Sequence, residues 1–517
     1  MHYIQGKNRE QSTLFPQNLD QIIAADNEVR IIDIFVESIN VSDYKFVTKT
    51  SLEGRPAYDP KDLLKLYVYG YLNSIRSSRM LEKECRRNIE LMWLMKQLTP
   101  DHNTIANFRR DNDKAIRQVF RYTVSIAKQF NLIGGKLIAG DSTKLRAQNS
   151  KKNNFNENKI ERHLTYIENK LEEYNNALEQ ADGENKEIIK QAIEKQNTRK
   201  EFYNNLTEQL HQGGQTQIST SDPDSRQMIT RNNITEVAYN VQTVVDAKHC
   251  IPIDYKVTNE NDSKAMATML RRTKTILQTN DFTALYDKGY HTGSEIKRAI
   301  EMGIDIMVAI PGVASFAPDD RYNFDKFIYN QARDTYTCPE QQTLITNGSW
   351  YQKSKQRYIY FVKHYKTSSC ATCPALAKCT TNKKGRLLER SEYQPYIEKN
   401  KQNIEANEAL YKKRQSIVEH PYGVIKRQWG FYYVTTKKGI RHASADVGLM
   451  FTAYNLLMNI IDKNLFKKFL KELVSVFSEI FVAPKAIRFK ISASFFSLPF
   501  AKTKLQLFLN GCLLIYI

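Results

Sequence analysis

The chain has 517 residues, with 76 Lys and Arg against 56 Asp and Glu, giving a net charge of +20 and a pI near 9.4. This length suffices for roughly two to four domains with a sizeable core, and the excess of positive charge favours a polyanionic partner, most simply nucleic acid. No apolar run reaches the ~20 residues that a membrane span needs, and the opening stretch to Asp20 is too polar for a signal peptide, so a soluble, cytoplasmic protein without a membrane partner is expected.

Residues 1–130 read as an all-helical DNA-binding domain. From Tyr58 to about Ile126, Leu63, Leu64, Tyr67, Tyr71 and Ile75, then Met80, Ile89, Met92, Leu94 and Met95, supply apolar faces at helical spacing. In the run Leu98 to Arg110, Thr99 or Asp101 suits a helix cap and Pro100 its first turn. Ile105 and Phe108 are spaced to dock, leaving Arg109 and Arg110 to point outward as DNA contacts. With 12 basic and 7 acidic residues over 61–120, the unit is expected to be a helix-turn-helix reader.

Residues 131–310 read as the first part of an α/β catalytic core. A strand over Lys136 to Ser142, in Leu-Ile-Ala-Gly-Asp-Ser-Thr-Lys, leaves Asp141 at its exit with Lys144 close by. An excursion over 151–212 follows. There Ile160, Leu164, Ile167, Leu171, Tyr174 and Leu178 step by 4 and 3, and after Ala181-Asp-Gly183 a return helix runs through Ile189, Ile193, Tyr203, Leu206 and Leu210. With 10 basic and 12 acidic side chains, this antiparallel hairpin reads as structural or as a dimer arm. Alternation then predicts strands through Val237 to Val245 and Ile251 to Val257 around a turn at Asp246 to His249. Next come a helix from Ser263 to Thr279, a strand ending at Asp287 beside Lys288, a helix from Ser294 to Met302 and a strand from Ile306 to Ile310. Three antiparallel strands followed by alternating helix and strand is the order of a ribonuclease H-like mixed sheet. In that order Asp141 and Asp287 become neighbours across adjacent parallel strands.

Residues 311–400 hold Cys338, Cys370, Cys373 and Cys379 and little periodicity, and read as an inserted lobe. Cys370-x2-Cys373 with one Cys on each side suggests a thiolate Zn²⁺ knot, because a disulfide is disfavoured in a reducing cytosol. Cys85, Cys250 and Cys512 read as small core residues. The second part of the core, 401–462, has a helix from about Tyr396 to Val418. His420 before Pro421 predicts a kink at Glu419, and Lys426 lies two helical turns beyond. Over 411–470 there are 11 basic and 3 acidic residues, among them Arg414, Lys426 and Arg427, a concentration suited to gripping DNA beside a metal ligand. The role of the tail, 463–517, is left open.

Several phrases together are specific: Tyr-Asp-Pro-Lys-Asp-Leu-Leu, Pro-Asp-His-Asn-Thr-Ile-Ala-Asn-Phe-Arg, Gly-Asp-Ser-Thr-Lys, Tyr-Asp-Lys-Gly-Tyr and Val-Glu-His-Pro-Tyr-Gly-Val-Ile-Lys. Through them the chain resembles a bacterial insertion-sequence transposase of the Asp-Asp-Glu class over about Tyr58 to Asn459. The resemblance implies a catalytic triad of Asp141, Asp287 and Glu419, with Lys426 as the trailing helix lysine. The family's Tyr-x2-Arg-x3-Glu spacing is not kept, since Tyr411 and Arg414 are present but Glu419 falls one residue late. It further implies two Mg²⁺ ions about 3.5 to 4 Å apart, which Mn²⁺ can replace, element-end and target DNA as partners, and a homodimer on DNA. A different ribonuclease H-like nuclease, or a non-catalytic DNA-binding descendant, are the rival readings.

Overall fold

The computed structural model describes residues 18–47, 56–230, 234–312, 317–355, 358–435 and 438–460. The tail 463–517 lies outside the described residues. Helices fill the first part of the chain. Helix α1 (Pro60–Leu72) starts where Asp59 accepts the Lys61 N–H and Pro60 occupies the first turn. Helices α2 (Ser78–Arg87), α3 (His102–Asp111) and α4 (Asp113–Gln129) follow. Asp101 caps α3, its side chain accepting from the Asn103 and Thr104 N–H groups.

The core sheet is built from β1 (Leu137–Arg146), β2 (Arg226–Ile229), β3 (Thr235–Asp246), β4 (Ile251–Thr258), β5 (Thr283–Tyr286) and β6 (Asp305–Val308). Between β1 and β2, α5 (Glu157–Gln180) and α6 (Glu184–Gly213) pack on one another through Ile160, Ile167, Tyr203, Leu206 and Leu210. The path across the sheet is β2-β3-β1-β5-β6, with β4 also paired to β3. β1 runs antiparallel to β3 and parallel to β5, and β5 parallel to β6. This mixed order matches the expectation. Helices α7 (Met266–Leu277) and α8 (Gly293–Glu301) connect the later strands.

β1 does not stop at Ser142. It continues to Arg146 because β3, twelve residues long, goes on supplying partners down to Arg146↔Ala238, whereas the pairing with β5 ends at Ala139↔Leu285. Asp141 therefore lies within a strand, just past the end of its parallel neighbour. The close approach of β1 and β5 requires Gly140. A Cβ there would stand 2.1 Å from the Tyr286 ring.

Small strands follow β6: β7 (Ile328–Asn330), β8 (Thr335–Thr337) and β9 (Thr343–Ile345) form one sheet, and β10 (Trp350–Lys355), β11 (Tyr358–Tyr365) and β12 (Leu388–Ser391) another. The chain returns to the core through α9 (Gln394–Ala406), a single turn over Glu408–Tyr411, α10 (Arg414–Tyr422) and α11 (Ile440–Ile460). The long helix expected up to Val418 is thus divided. At the expected kink the helix stays continuous: Pro421 sits inside α10, which passes directly into a π-helical stretch, Gly423–Gln428. Widening the helix after the proline is one way to accommodate the lost N–H and the ring.

The helical region and the sheet share one core. Phe120 of α4 meets the Tyr255 ring of β4 edge-on at 5.0 Å, and Tyr255 contacts Phe451 of α11 at 5.6 Å. Arg109, expected outward, is only 6% exposed. Its guanidinium donates to the Tyr71 hydroxyl at 3.0 Å and lies 3.5 Å from the carboxylate of Asp446, on α11. The reason is helical spacing: Arg109 follows Ile105 by four residues and shares its buried face. Arg110 does face solvent, paired with the neighbouring Asp111 carboxylate at 2.6 and 2.8 Å.

Asp246, expected in a turn, and Asp222, in the phrase Asp-Pro-Asp, are both fully buried. Asp246 accepts the N–H groups of Gly134, Gly135 and Lys248, and Asp222 accepts the Tyr239 hydroxyl and the Gly439 N–H. Asp222→Asn is expected to lower stability by about 1–3 kcal/mol, because an amide weakens the charge-assisted bonds and turns an NH₂ donor toward the Tyr239 hydroxyl where Oδ2 had accepted. An unchanged chemical denaturation midpoint would contradict that role.

Candidate active site

Side chains alternate along β1, so Ala139 and Asp141 share a face. α10 covers that face, seating Ile417 and Val418 on Ala139, Val245, Leu285 and Met307. Packing of these aliphatic side chains fixes what α10 presents to the end of the sheet. The Arg414 guanidinium reaches Asp141 Oδ2 at 3.2 Å, and the Tyr422 hydroxyl contacts the Thr243 hydroxyl and lies 3.3 Å from the Asp141 carbonyl oxygen. Just before α10, the Tyr411 hydroxyl donates to the Tyr286 carbonyl at 3.0 Å.

Asp287 follows β5 directly. Its carboxylate accepts the Gly289 N–H at 2.9 Å and so caps the short turn Lys288–Tyr290. From the parallel pair Ala139↔Leu285, two further residues along each strand lead to Asp141 and Asp287. The electrostatics agree with this proximity. Burial pushes the Asp141 carboxyl above its ordinary range, the Ser142 N–H at 2.7 Å and the Arg414 charge oppose the rise, and the charge of Asp287 adds to it. Two partly desolvated carboxylates at one sheet end form an all-oxygen donor pair of the kind that hard divalent cations require.

Glu419 stands differently. It is exposed, and its carboxylate accepts from the Gln415 side chain at 2.8 Å. Among the described residues, no three His, Cys, Asp or Glu side chains are gathered as a set that could hold a metal ion. The structure thus brings Asp141 and Asp287 together but does not draw Glu419 in with them.

The basic residues divide into two groups. Lys288 and Arg427 are exposed. Lys144 instead bridges the Ser142 hydroxyl at 2.9 Å and Asp262 at 3.1 Å, while Lys426 donates to the Lys144 carbonyl at 3.1 Å. Asp262 was not singled out from sequence. Its carboxylate also accepts Asn240 and Gln242 at 2.7 Å each, and despite burial, the positive charge of Lys144 and these hydrogen bonds hold it below the usual range. Two amides at alternate positions of an otherwise apolar strand, Asn240 and Gln242, were the available sign of a polar network on the opposite face from Asp141.

In the inserted lobe, Cys338, Cys370, Cys373 and Cys379 all line one small cavity, with Tyr322, Phe327 and Arg386 beside them. All four are free thiols. Burial pushes the Cys379 thiol up; the Arg386 charge opposes this and the other three cysteines reinforce it.

Two neighbouring aspartates just past the end of a parallel strand pairing in a mixed sheet are the kind of arrangement that metal-dependent phosphoryl transfer requires. Two family models match this chain: Transposase domain (DUF772) over residues 17–111, and Transposase DDE domain over residues 337–458. Together the two matches support an insertion-sequence transposase of the DDE class. The second match contains Glu419 and the four clustered cysteines; Asp141 and Asp287 lie outside it. A search of curated proteins finds no match. A DDE transposase domain indicates an enzyme of DNA phosphoryl transfer and implies dependence on divalent metal, and no described helix is long and apolar enough to cross a membrane.

Proposed function

We propose that the protein binds the terminal inverted repeats of its own element, cleaves DNA strands there and joins the freed 3′-hydroxyl to target DNA, working in the cytoplasm as a homodimer assembled on DNA. The observation that carries this reading is the pair Asp141 and Asp287, each two residues beyond the last parallel pair of β1 and β5 and beneath α10. Asp141, Asp287 and Glu419 would hold Mg²⁺, with Mn²⁺ able to substitute. The bound ions supply activation of the attacking hydroxyl and stabilisation of the leaving oxygen. A Zn²⁺ in the cysteine lobe would be structural and take no part.

The chain's own residues orient and neutralise. Arg414 fixes the Asp141 carboxylate and places a positive charge where phosphate oxygens approach. Tyr422 and Thr243 brace the β1 backbone at that residue. Lys288 and Arg427 are exposed and take phosphate contacts flanking the site, together with Arg110 on α3. In this reading Glu419, five residues beyond Arg414 and about 7.5 Å along the helix, would join the aspartates only after α10 turns, since the seating of Ile417 and Val418 sets the direction of its side chain.

The reading is tested by incubating purified protein with DNA bearing its element ends and Mg²⁺, and following strand cleavage and joining. In that assay Glu419→Gln is expected to lose cleavage by roughly a hundredfold or more while binding end DNA normally. Gln415→Ala should keep both. Full cleavage by Glu419→Gln would remove it from the site and leave Asp262 as the next acid to replace.

A further inference from the structure

The lobe between β6 and α9 contains four of the seven cysteines, and the chemistry above uses none of them. Its apolar cores are small. One consists of Phe327, Tyr336, Leu344, Tyr365 and Leu388, with Cys338 and Cys379 packed against it; the other of Ala317, Tyr322 and Ala375, against which Cys373 and Cys379 pack. Cores of this size rarely hold a unit together without a cross-link.

The backbone around each sulfur is organised. Cys338 opens a tight turn after β8: its N–H donates to the Gln342 carbonyl at 2.9 Å, and Gln341, at φ 59°, returns an N–H to the Cys338 carbonyl at 2.9 Å. The Gln342 N–H is then aimed at Cys338 Sγ, at 3.3 Å. Neutral thiols are weak acceptors, whereas a thiolate gains from such a donor. On the other side of the cavity, a turn over Ser368–Thr372 carries Cys370, Cys373 follows at once, and the helix Leu376–Cys379 ends on Cys379.

Arg386 supplies an independent sign. Its guanidinium donates to the Cys379 carbonyl at 3.3 Å, yet its Nε is buried with no hydrogen-bond partner. A buried cationic donor beside four neutral thiols is uncompensated; beside a thiolate cluster it is matched. Gly385, next to it, adopts φ +99°, and a Cβ there would stand 2.5 Å from the Cys370 Cβ, so the chain passes as close to this cysteine as a residue without a side chain allows.

We propose that Cys338, Cys370, Cys373 and Cys379 bind one Zn²⁺ as a tetrathiolate knot that holds the lobe together. Four S–H protons pass to solvent as four Zn–S bonds of about 2.3 Å form, leaving a site of net charge −2 that the Arg386 guanidinium partly balances. No electron transfer is involved. The thiols do not stand as a closed metal-holding set; since they already share one cavity, side-chain rotation closes them on the ion.

The test uses the full chain purified without chelator. Metal analysis is expected to give about one zinc per chain, falling at least fivefold in Cys373→Ser. After zinc removal under reducing conditions, Co²⁺ should restore one site per chain and give the visible bands of tetrahedral cobalt with sulfur-to-metal charge transfer. The Co²⁺ titration of the unmutated chain decides the matter if Cys373→Ser fails to fold. Absence of zinc together with no tetrahedral Co²⁺ spectrum, iron in its place, or zinc retained in Cys373→Ser would each overturn the proposal. Both readouts are made without DNA, so they stand or fall separately from the strand-transfer reading.

Discussion

Asp287→Asn, assayed on element-end DNA with Mg²⁺, is expected to cleave more slowly by roughly three orders of magnitude or more, and Asp141→Asn likewise. The amide has nearly the volume of the carboxylate but removes a negative charge from a site proposed to hold cations against phosphate. For Asp287 the fold should not notice: the side chain is partly exposed, and its hydrogen bond from the Gly289 N–H can be accepted by an amide oxygen. Asp141 differs in one respect. Its partner Arg414 would lose a counter-charge at 3.2 Å, so Asp141→Asn should also alter DNA affinity by freeing a guanidinium for phosphate. Asp182, exposed in the turn between α5 and α6, is the proper charge-removal control. Cleavage by Asp287→Asn at the unmutated rate, in protein that binds end DNA, would defeat the assignment of the pair.

The second large effect is on stability. Arg109→Ala should destabilise the protein by about 3 kcal/mol, because a fully buried carboxylate loses one of its two cationic partners. Asp446 is fully buried between Arg109 and Arg76, each 3.5 Å away, and also receives the Tyr71 hydroxyl and the Thr435 N–H. Removing Arg109 leaves Tyr71 and Asp446 facing a cavity. Arg110→Ala should change stability by no more than about 0.5 kcal/mol and, if that side chain meets a phosphate, reduce the salt dependence of DNA binding by about one unit of slope. The two variants are separated by a denaturant titration combined with binding at several salt concentrations. An Arg109→Ala protein of normal stability with a reduced salt slope would return that arginine to the DNA interface.

Much of the sheet was legible because its signals are local. Alternation located β3 and β4, a short apolar run followed by Asp, Lys and Gly located β5, and the order of elements then implied which strands are neighbours. The hairpin over 151–212 was equally plain from its spacing. What stayed hidden depends on contacts distant in sequence. Nothing within Phe108-Arg109-Arg110 says that the middle residue meets Asp446, more than three hundred positions later; only the four-residue step from Ile105 hinted at burial. Asp222 and Asp246 carry every mark of turn residues, yet their carboxylates collect N–H and O–H donors from distant segments. Glu419 was found by its neighbours in sequence, and its side-chain direction is a matter of helix rotation, set by how Ile417 and Val418 seat on the sheet.

The junction of Tyr71, Arg109 and Asp446 bears on how such proteins can be recombined. It ties helices α1 and α3 of the helical region to α11 through buried charges. A chimera that grafts the first 130 residues onto a relative's remaining chain inherits half of a buried ion cluster. It should fold only when the recipient offers an acid at the position of Asp446. If the leading helices read the DNA ends, as proposed, exchanging them is constrained by a residue more than three hundred positions away, and substitutions at 71, 109 and 446 should be inherited together.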